Sequence, residues 1–538
     1  MNGLIYIIFI VSILFSQEPN SYSIPRIDNN IKSNNQYRIP LCGWPSLSII
    51  DLRQGPNNSI YSGTGGGLGY VLPESTESNI YFSINDSNLP VGGNPAIKSL
   101  EVNDDWIIVL SGVETVEYFG DDVASGTGIS WSYDNSVWYH ISQPQDSLSN
   151  GYIDYDWYGE NTPHRSVNTN AKNVSYDVAV DYNQKYIYAA SWAGMLRRFK
   201  YIDEIPKWEI VPLPMDNQDS LICGDIPSNY YYDPVDPPFG NHNHKGFSVH
   251  VEDDIIWAGT ANGVNKGIIQ ENGCINWYHY TLDDGLAGDW IVGFEIQDIG
   301  LDYPRVWAIS WLTSGGPSPH GLSYTEDQGS TWQQVNYFAT DENDADDVAA
   351  IVYDMYFHDN YIYVSTDEGL FVASFNNIQE WIEIEIPIDI LNQLNTEKVY
   401  SSIINDNLQK MWLGTPEGFI TLDINLNEWN IPNLDLLDCP DDQIDELIIY
   451  PNPYYTDDIQ DVTFKIKTDL SYGRIDIFDF SMSKVSSSID CSKVGEYLTA
   501  TWDRKNLNNS LVVNGTYFCR LKSGSQEFWN KITVINIK

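Results

Sequence analysis

Two stretches decide how this chain is read: IWAGTANGV at 256–264 and its near copy MWLGTPEGF at 411–419. In each, an apolar residue and an aromatic lead into a small-residue strand end, then a short turn, a glycine and another apolar residue. Strands opening the same way recur at 60–64 (IYSGT), 108–112 (IVLSG), 187–191 (IYAAS), 306–310 (VWAIS) and 362–366 (IYVST), making seven in all. The steps between them are 48, 79, 69, 50, 56 and 49 residues. A glycine plus an apolar residue follows each: Gly67, Gly128, Gly194, Gly263, Gly321, Gly369 and Gly418. Glycine suits a tight hairpin where the backbone needs positive φ.

Each unit then opens a further strand on an aromatic residue: Tyr81, Trp138, Trp208, Trp277, Trp332, Trp381 and Trp429. Another apolar strand precedes each repeated one, as in YDVAVDY at 176–182 and GFSVHVE at 246–252. Four short strands per unit, seven times over, predict an all-β fold, a seven-bladed β-propeller across 40–435. Two stacked sandwiches would not place a glycine at one position of every unit. The linker 436–446 is acidic and carries a proline. Beyond it, residues 447–538 alternate at period two, as in VTFKIK at 462–467, and predict a small Ig-like β-sandwich.

The repeat resembles the propeller units of two-component-regulator sensor proteins. Thr325, Asp327, Gly329, Thr331 and Trp332 resemble an Asp-box, a structural hairpin of sialidase-like propellers, and Ser132 to Trp138 is a degenerate copy without its glycine. The tail resembles the Ig-like (FlgD-like) domain of flagellar hook-capping proteins and the C-terminal sorting domain of type IX (Por) secretion. That likeness rests on Tyr450-Pro451-Asn452-Pro453, Thr501-Trp502-Asp503 and Gly515-Thr516-Tyr517-Phe518. Ser481-Met482-Ser483 departs from it, standing where that family has a small residue and a glycine. The resemblance implies export, with the secretion machinery as a partner.

Residues 4–15 form an apolar run of 12, too short to span a bilayer and suited to a secretory signal ending near Ser16. Residues 1–16 are therefore read as a signal peptide and 17–39 as a polar segment, giving a secreted or cell-surface protein without a transmembrane anchor. The chain has 28 Lys and Arg against 74 Asp and Glu, a net charge of −46. That balance excludes nucleic acid as a partner, since binding it demands clustered cations. Six cysteines in an exported chain are disulfide candidates. Cys42 and Cys439 flank the propeller and could tie its ends, or both could be free thiols. Cys491 and Cys519 could pair within the tail.

Propeller topology puts the blade-to-blade connections and the loops between second and third strands on one face. The long excursions 113–127, 143–172, 213–244 and 311–320 all belong there, and binding concentrates on such loops. The aromatic, acidic and basic side chains of these excursions, with the blade connection that holds Trp290, nominate Asp154, Trp157, Tyr158, Glu160, His164, Arg165, Tyr231, Asp233, Trp290 and Trp311 as ligand-binding. An extracellular glycan or protein is the expected ligand. The alternative, a glycan hydrolase, needs two converging carboxylates from Asp154, Asp156, Glu160, Asp225, Asp233, Asp283 and Asp289. No residue is assigned a catalytic role. His242 and His244 are metal candidates, and Asp341, Asn343 and Asp347 offer oxygen donors for Ca²⁺, although a solvated polar loop is the stronger reading of each group. No cofactor is required: there is no phosphate-binding glycine loop, CxxC or HExxH.

Overall fold

The computed structural model describes residues 46–535, except 56–58, 74–78, 85–95, 103–106, 134–137, 147–150, 236, 301–302, 313–319, 336–349, 407–408, 433–446, 451–453, 456–461, 468–469, 480–481, 495–496 and 525. The signal peptide, the polar segment, the linker, Cys42, Cys439, Asp341, Asn343 and Asp347 lie outside the described residues. No helix among the described residues is long and apolar enough to cross a membrane.

Seven four-stranded antiparallel meanders follow one another along the chain, the architecture of a seven-bladed β-propeller. Blade one is Ile49–Gln54, Ile60–Thr64, Gly67–Pro73 and Asn79–Ile84; blade two is Ala96–Val102, Ile108–Tyr118, Asp121–Ser132 and Trp138–Ile141. Blade three comprises Ser175–Asp181, Tyr186–Ser191, Met195–Lys200 and Glu209–Ile210, and blade four Gly246–Glu252, Ile255–Thr260, Gly263–Ile269 and Ile275–Tyr280. Blades five, six and seven begin at Ile291–Gln297, Val352–His358 and Ser401–Asn405. All seven repeated segments are second strands. Ile60–Thr64 and Arg305–Ser310 are buried throughout, so both faces are covered and the strand reads as a short apolar run instead of an alternating one.

The described residues form two compact units, 109–131 with 139–384, and 46–108 with 132–138 and 385–535. Within the first, successive blades join side to side. Ser111 Oγ donates to the Ser175 carbonyl at 2.9 Å, Ser248 Oγ to Ile291 at 3.1 Å, and Trp311 Nε1 to Val352 at 2.6 Å. Within the second, the second strand of blade seven lies against the first strand of blade one. A Cβ on Gly414 would sit 2.7 Å from Ile49 Cγ2, and one on Gly259 would meet Ser248 Oγ and the Ile291 carbonyl. The glycine of the repeat therefore admits the next blade's backbone.

The later glycine works by conformation, as expected, at Gly67, Gly128, Gly263, Gly369 and Gly418, all at positive φ. In blade three Met195, not Gly194, carries the left-handed backbone. The excursion expected over 113–127 is instead a continuation of two blade strands into a long hairpin turning at Phe119-Gly120, both at positive φ.

Residues Thr325 to Trp332 form the hairpin their sequence suggested. Asp327 accepts from the Thr331 amide and hydroxyl at 2.8 and 2.7 Å, while the Gly329 amide donates to Thr325 Oγ1 at 2.8 Å. Burial raises the Asp327 carboxyl slightly, but the Thr331 and Thr325 hydrogen bonds override it and hold it below its ordinary value. Trp332 is buried against Trp257 of the preceding blade and Tyr280.

The C-terminal residues form two sheets around one core that includes Ile449, Phe464, Ile466, Ile475, Ile477, Trp502, Leu521 and Ile532. The expected Cys491–Cys519 bond is not formed, and both are free thiols. Cys519 pairs across Ile477, whereas the Cys491 amide bonds to the Gly473 carbonyl. Four residues along that intervening strand span about 13 Å, well beyond disulfide reach. Among the described residues a disulfide joins Cys223 and Cys274, with Cα atoms 6.3 Å apart.

Candidate functional site

A cavity of about 520 Å³ opens among the loops of blades two to four, in the size range of ligand pockets. Its walls come from three segments: Arg165 to Thr169, the turn Trp192-Ala193, and Pro234, Val235, Pro237, Pro238 and Phe239 with Lys245. Two are blade connections and the third joins strands two and three of blade three. Two of the long connections, 143–172 and 213–244, meet here.

Each wall is anchored from behind. Asp146 receives Arg197 through two contacts, Nη1 at 3.0 and Nη2 at 2.8 Å, and accepts the Val167 amide at 2.8 Å. Burial alone would raise the Asp146 carboxyl; the His164 ring at 3.6 Å and the Arg197 guanidinium override it and keep it well below the usual range. The connection over 143–172 carries two small hairpins, Tyr152–Ile153 with His164–Arg165 and Asp156–Trp157 with Glu160–Asn161.

The opposite wall hangs on Asp233, which is fully buried. Its carboxylate accepts Tyr152 Oη at 2.5 Å, Arg165 Nη1 at 3.2 Å and the Val235 amide at 2.9 Å. Burial and then the Asp233 carboxylate push the Tyr152 phenol above its ordinary range, so it stays a donor. The Asp233 amide donates to His244 Nδ1 at 2.9 Å, and His244 Nε2 lies 3.2 Å from the Leu213 carbonyl. Cys223–Cys274 and Ser220–Leu221, which adds a fifth strand to blade four, pin the start of the same connection.

Trp192 belongs to an aromatic cluster with Phe247 at 5.4 Å and Trp290 at 5.7 Å, and Lys245 Nζ sits 4.5 Å over its ring. At the rim, Phe239 is 75% exposed. The described lining contains no Asp or Glu.

Of the ten nominated binding residues, only Arg165 lines the cavity. Asp233 orients it, and Tyr231 packs edge-on against Tyr152. Trp290 backs Trp192, while Trp311 is buried against Tyr353. Trp157 and Tyr158 instead enclose the buried Arg198. Its guanidinium lies 5.0 Å from the Trp157 ring and donates to Tyr158 Oη at 2.9 Å, Gly273 O at 2.8 Å and Glu209 at 2.9 Å. Asp154 accepts from Asn161, Glu160 pairs in its hairpin with Trp157, and His164 is buried under Tyr155.

Of the carboxylates proposed for hydrolysis, Asp156 accepts the Gly159 amide, Asp289 the Leu282 amide and Asp233 the Tyr152 hydroxyl, and none of the seven is among the described lining residues. The metal reading of His244 is corrected, because both its ring nitrogens are committed to backbone groups. His242 Nδ1 faces Lys245 Nζ at 3.2 Å. No cluster of three or more His, Cys, Asp or Glu suited to a metal occurs among the described residues. Trp192, Phe239 and Lys245 escaped the sequence reading, which weighed loop length. The available signal was position: Trp192 follows directly on a repeated strand.

No family model matches the chain, and no curated protein does. Among solved structures it is similar to PorZ, a surface component of the type-IX secretion system of Porphyromonas gingivalis, at 12% identity and TM-score 0.41, covering 89% of this chain and 64% of that one. It is similar to virginiamycin B lyase from Staphylococcus aureus at 9% identity and TM-score 0.42, over 70% of this chain and 94% of the lyase. An extracellular domain assigned to a one-component system of B. thetaiotaomicron matches at 13% identity and TM-score 0.23, covering 92% and 81%.

Proposed function

We propose that this chain is a secreted or cell-surface β-propeller that binds an extracellular ligand in the cavity floored by Trp192. The supporting observation is a preformed concavity with an aromatic floor and a carboxylate-oriented arginine, framed by loops that are hydrogen-bonded from behind. Rigid walls reduce the ordering cost of binding, which favours recognition over a purely structural role. A thermal-shift panel of peptides, polysaccharides, Ca²⁺ and Zn²⁺ tests this. A true ligand at 100 times its Kd stabilises by about 2.7 kcal/mol, and the Phe239→Ser variant should lose most of that shift. A shift unchanged in Phe239→Ser would place binding elsewhere.

Residues 447–538 form a separate Ig-like module in this reading, joined to the 40–435 propeller by the 436–446 linker, and act as the type IX sorting domain. The two-sheet core and the quoted tail motifs support it. Deleting 447–538 should leave a folded propeller trapped in the periplasm, and normal export of the truncated chain would refute the sorting role.

A further inference from the structure

We infer that the cavity recognises the free carboxylate end of a peptide with apolar terminal residues, an inference that rests on the binding role proposed above. Arg165 carries the argument. Its side chain is 48% exposed and spends one N–H on Asp233 at 3.2 Å, and among the described residues its Nε and Nη2 have no hydrogen-bond partner. Asp233 is itself fixed by Tyr152, so the guanidinium is aimed in advance, and a guanidinium matches a carboxylate in two-pronged geometry. Lys245 adds a second cation against the Trp192 ring. Asp233 takes one N–H of Arg165, and the described lining itself holds no further carboxylate, in a chain whose net charge is −46. Two cationic side chains lining one cleft of an acidic protein favour an anionic group there.

The rest of the wall specifies what carries that anion. Trp192, Ala193, Val167, Val235, Phe239 and the prolines present apolar surface, with Asn168, Thr169 and Ser166 as the polar remainder. A sugar ring would bring hydroxyls around its whole edge and leave several without partners against these walls, which costs affinity for each one desolvated. An apolar side chain meets no such penalty. The carboxylate and the apolar residue lie next to each other at a peptide C-terminus, as Arg165 and the apolar walls do here.

Calorimetric titration of the full chain tests this with three probes: an acetylated pentapeptide ending in Leu-Phe carboxylate, the same peptide as its C-terminal amide, and trigalacturonate as an acidic sugar. The carboxylate peptide should bind at least tenfold more tightly than the amide, the scale of a hydrogen bond to a charged group. Arg165→Gln should erase that preference, and Phe239→Ser, at the exposed rim, should weaken both peptides together. Equal binding of acid and amide would overturn carboxylate recognition while leaving the cavity a binding site. Binding of trigalacturonate without either peptide would overturn the peptide assignment. Failure of all three probes, with every thermal-shift hit indifferent to Phe239→Ser, would overturn both this inference and the reading beneath it.

Discussion

Acid should weaken the propeller through His244, and the effect can be sized. The ring is fully buried; its Nδ1 accepts the Asp233 amide, and its Nε2 faces the Leu213 carbonyl. Burial dominates and drives it down from 6.5 to about 3, with the carbonyls of Asp233, Leu213 and Pro214 partly opposing. The sign follows from linkage. The unfolded chain takes up a proton near pH 6.5 while the folded protein refuses it until about 3, so stability is full above 6.5 and falls as pH drops between the two values. At pH 5 the loss is roughly 2 kcal/mol, from 1.36 kcal/mol per pH unit over about 1.5 units. Unfolding midpoints of the wild type and His244→Gln, measured by calorimetry from pH 7.5 to 4.5, check it. His140 and His320 are also lowered by burial and contribute the same sign in both proteins, so the difference between the two curves isolates His244. His244→Gln should start lower at pH 7.5 and decline less steeply. Parallel curves would refute the argument that His244 folds neutral.

Three further outcomes are expected. Trp332→Ala, which removes the ring packed on Trp257 and Tyr280, should cost about 3–5 kcal/mol in thermal or urea unfolding. Replacing Cys223 and Cys274 together by Ser should cost about 4 kcal/mol on the chain-entropy account for their separation of 51 residues, read as a lower unfolding midpoint with the cavity's ligand binding weakened. Met482, half exposed in the turn that follows Arg474–Phe478, holds a left-handed backbone at φ 61; Met482→Gly should stabilise by about 1 kcal/mol, measured by differential scanning calorimetry.

Blade count and strand identity were legible in the sequence because each blade repeats one local pattern. Apolar second strands, a glycine at the hairpin and an aromatic opening the fourth strand depend on contacts a few residues away or with the adjoining blade. The hairpin at Thr325 to Trp332 was legible for the same reason, since its hydrogen bonds close within seven residues. The face on which loops converge also followed from strand order alone. Loop aromatic residues were less transparent. Trp157, Trp290 and Trp311 look like an exposed binding surface when counted along the chain, yet they are buried, because long connections must cover their own backbones. Likewise Asp233 and His244 read as a polar loop, and only folding turns them into the buried frame that aims Arg165.

Sequence by itself determined the all-β repeat, its seven units and the acidic balance of charge, because each is written in local periodicity or composition. Tertiary structure alone decided which cysteines pair, which loop residues face inward, and that Arg165, Trp192, Phe239 and Lys245 share one cavity. Those residues lie up to 80 positions apart in the chain. Their proximity is set by how three loops pack against one another, and no short-range pattern encodes that packing.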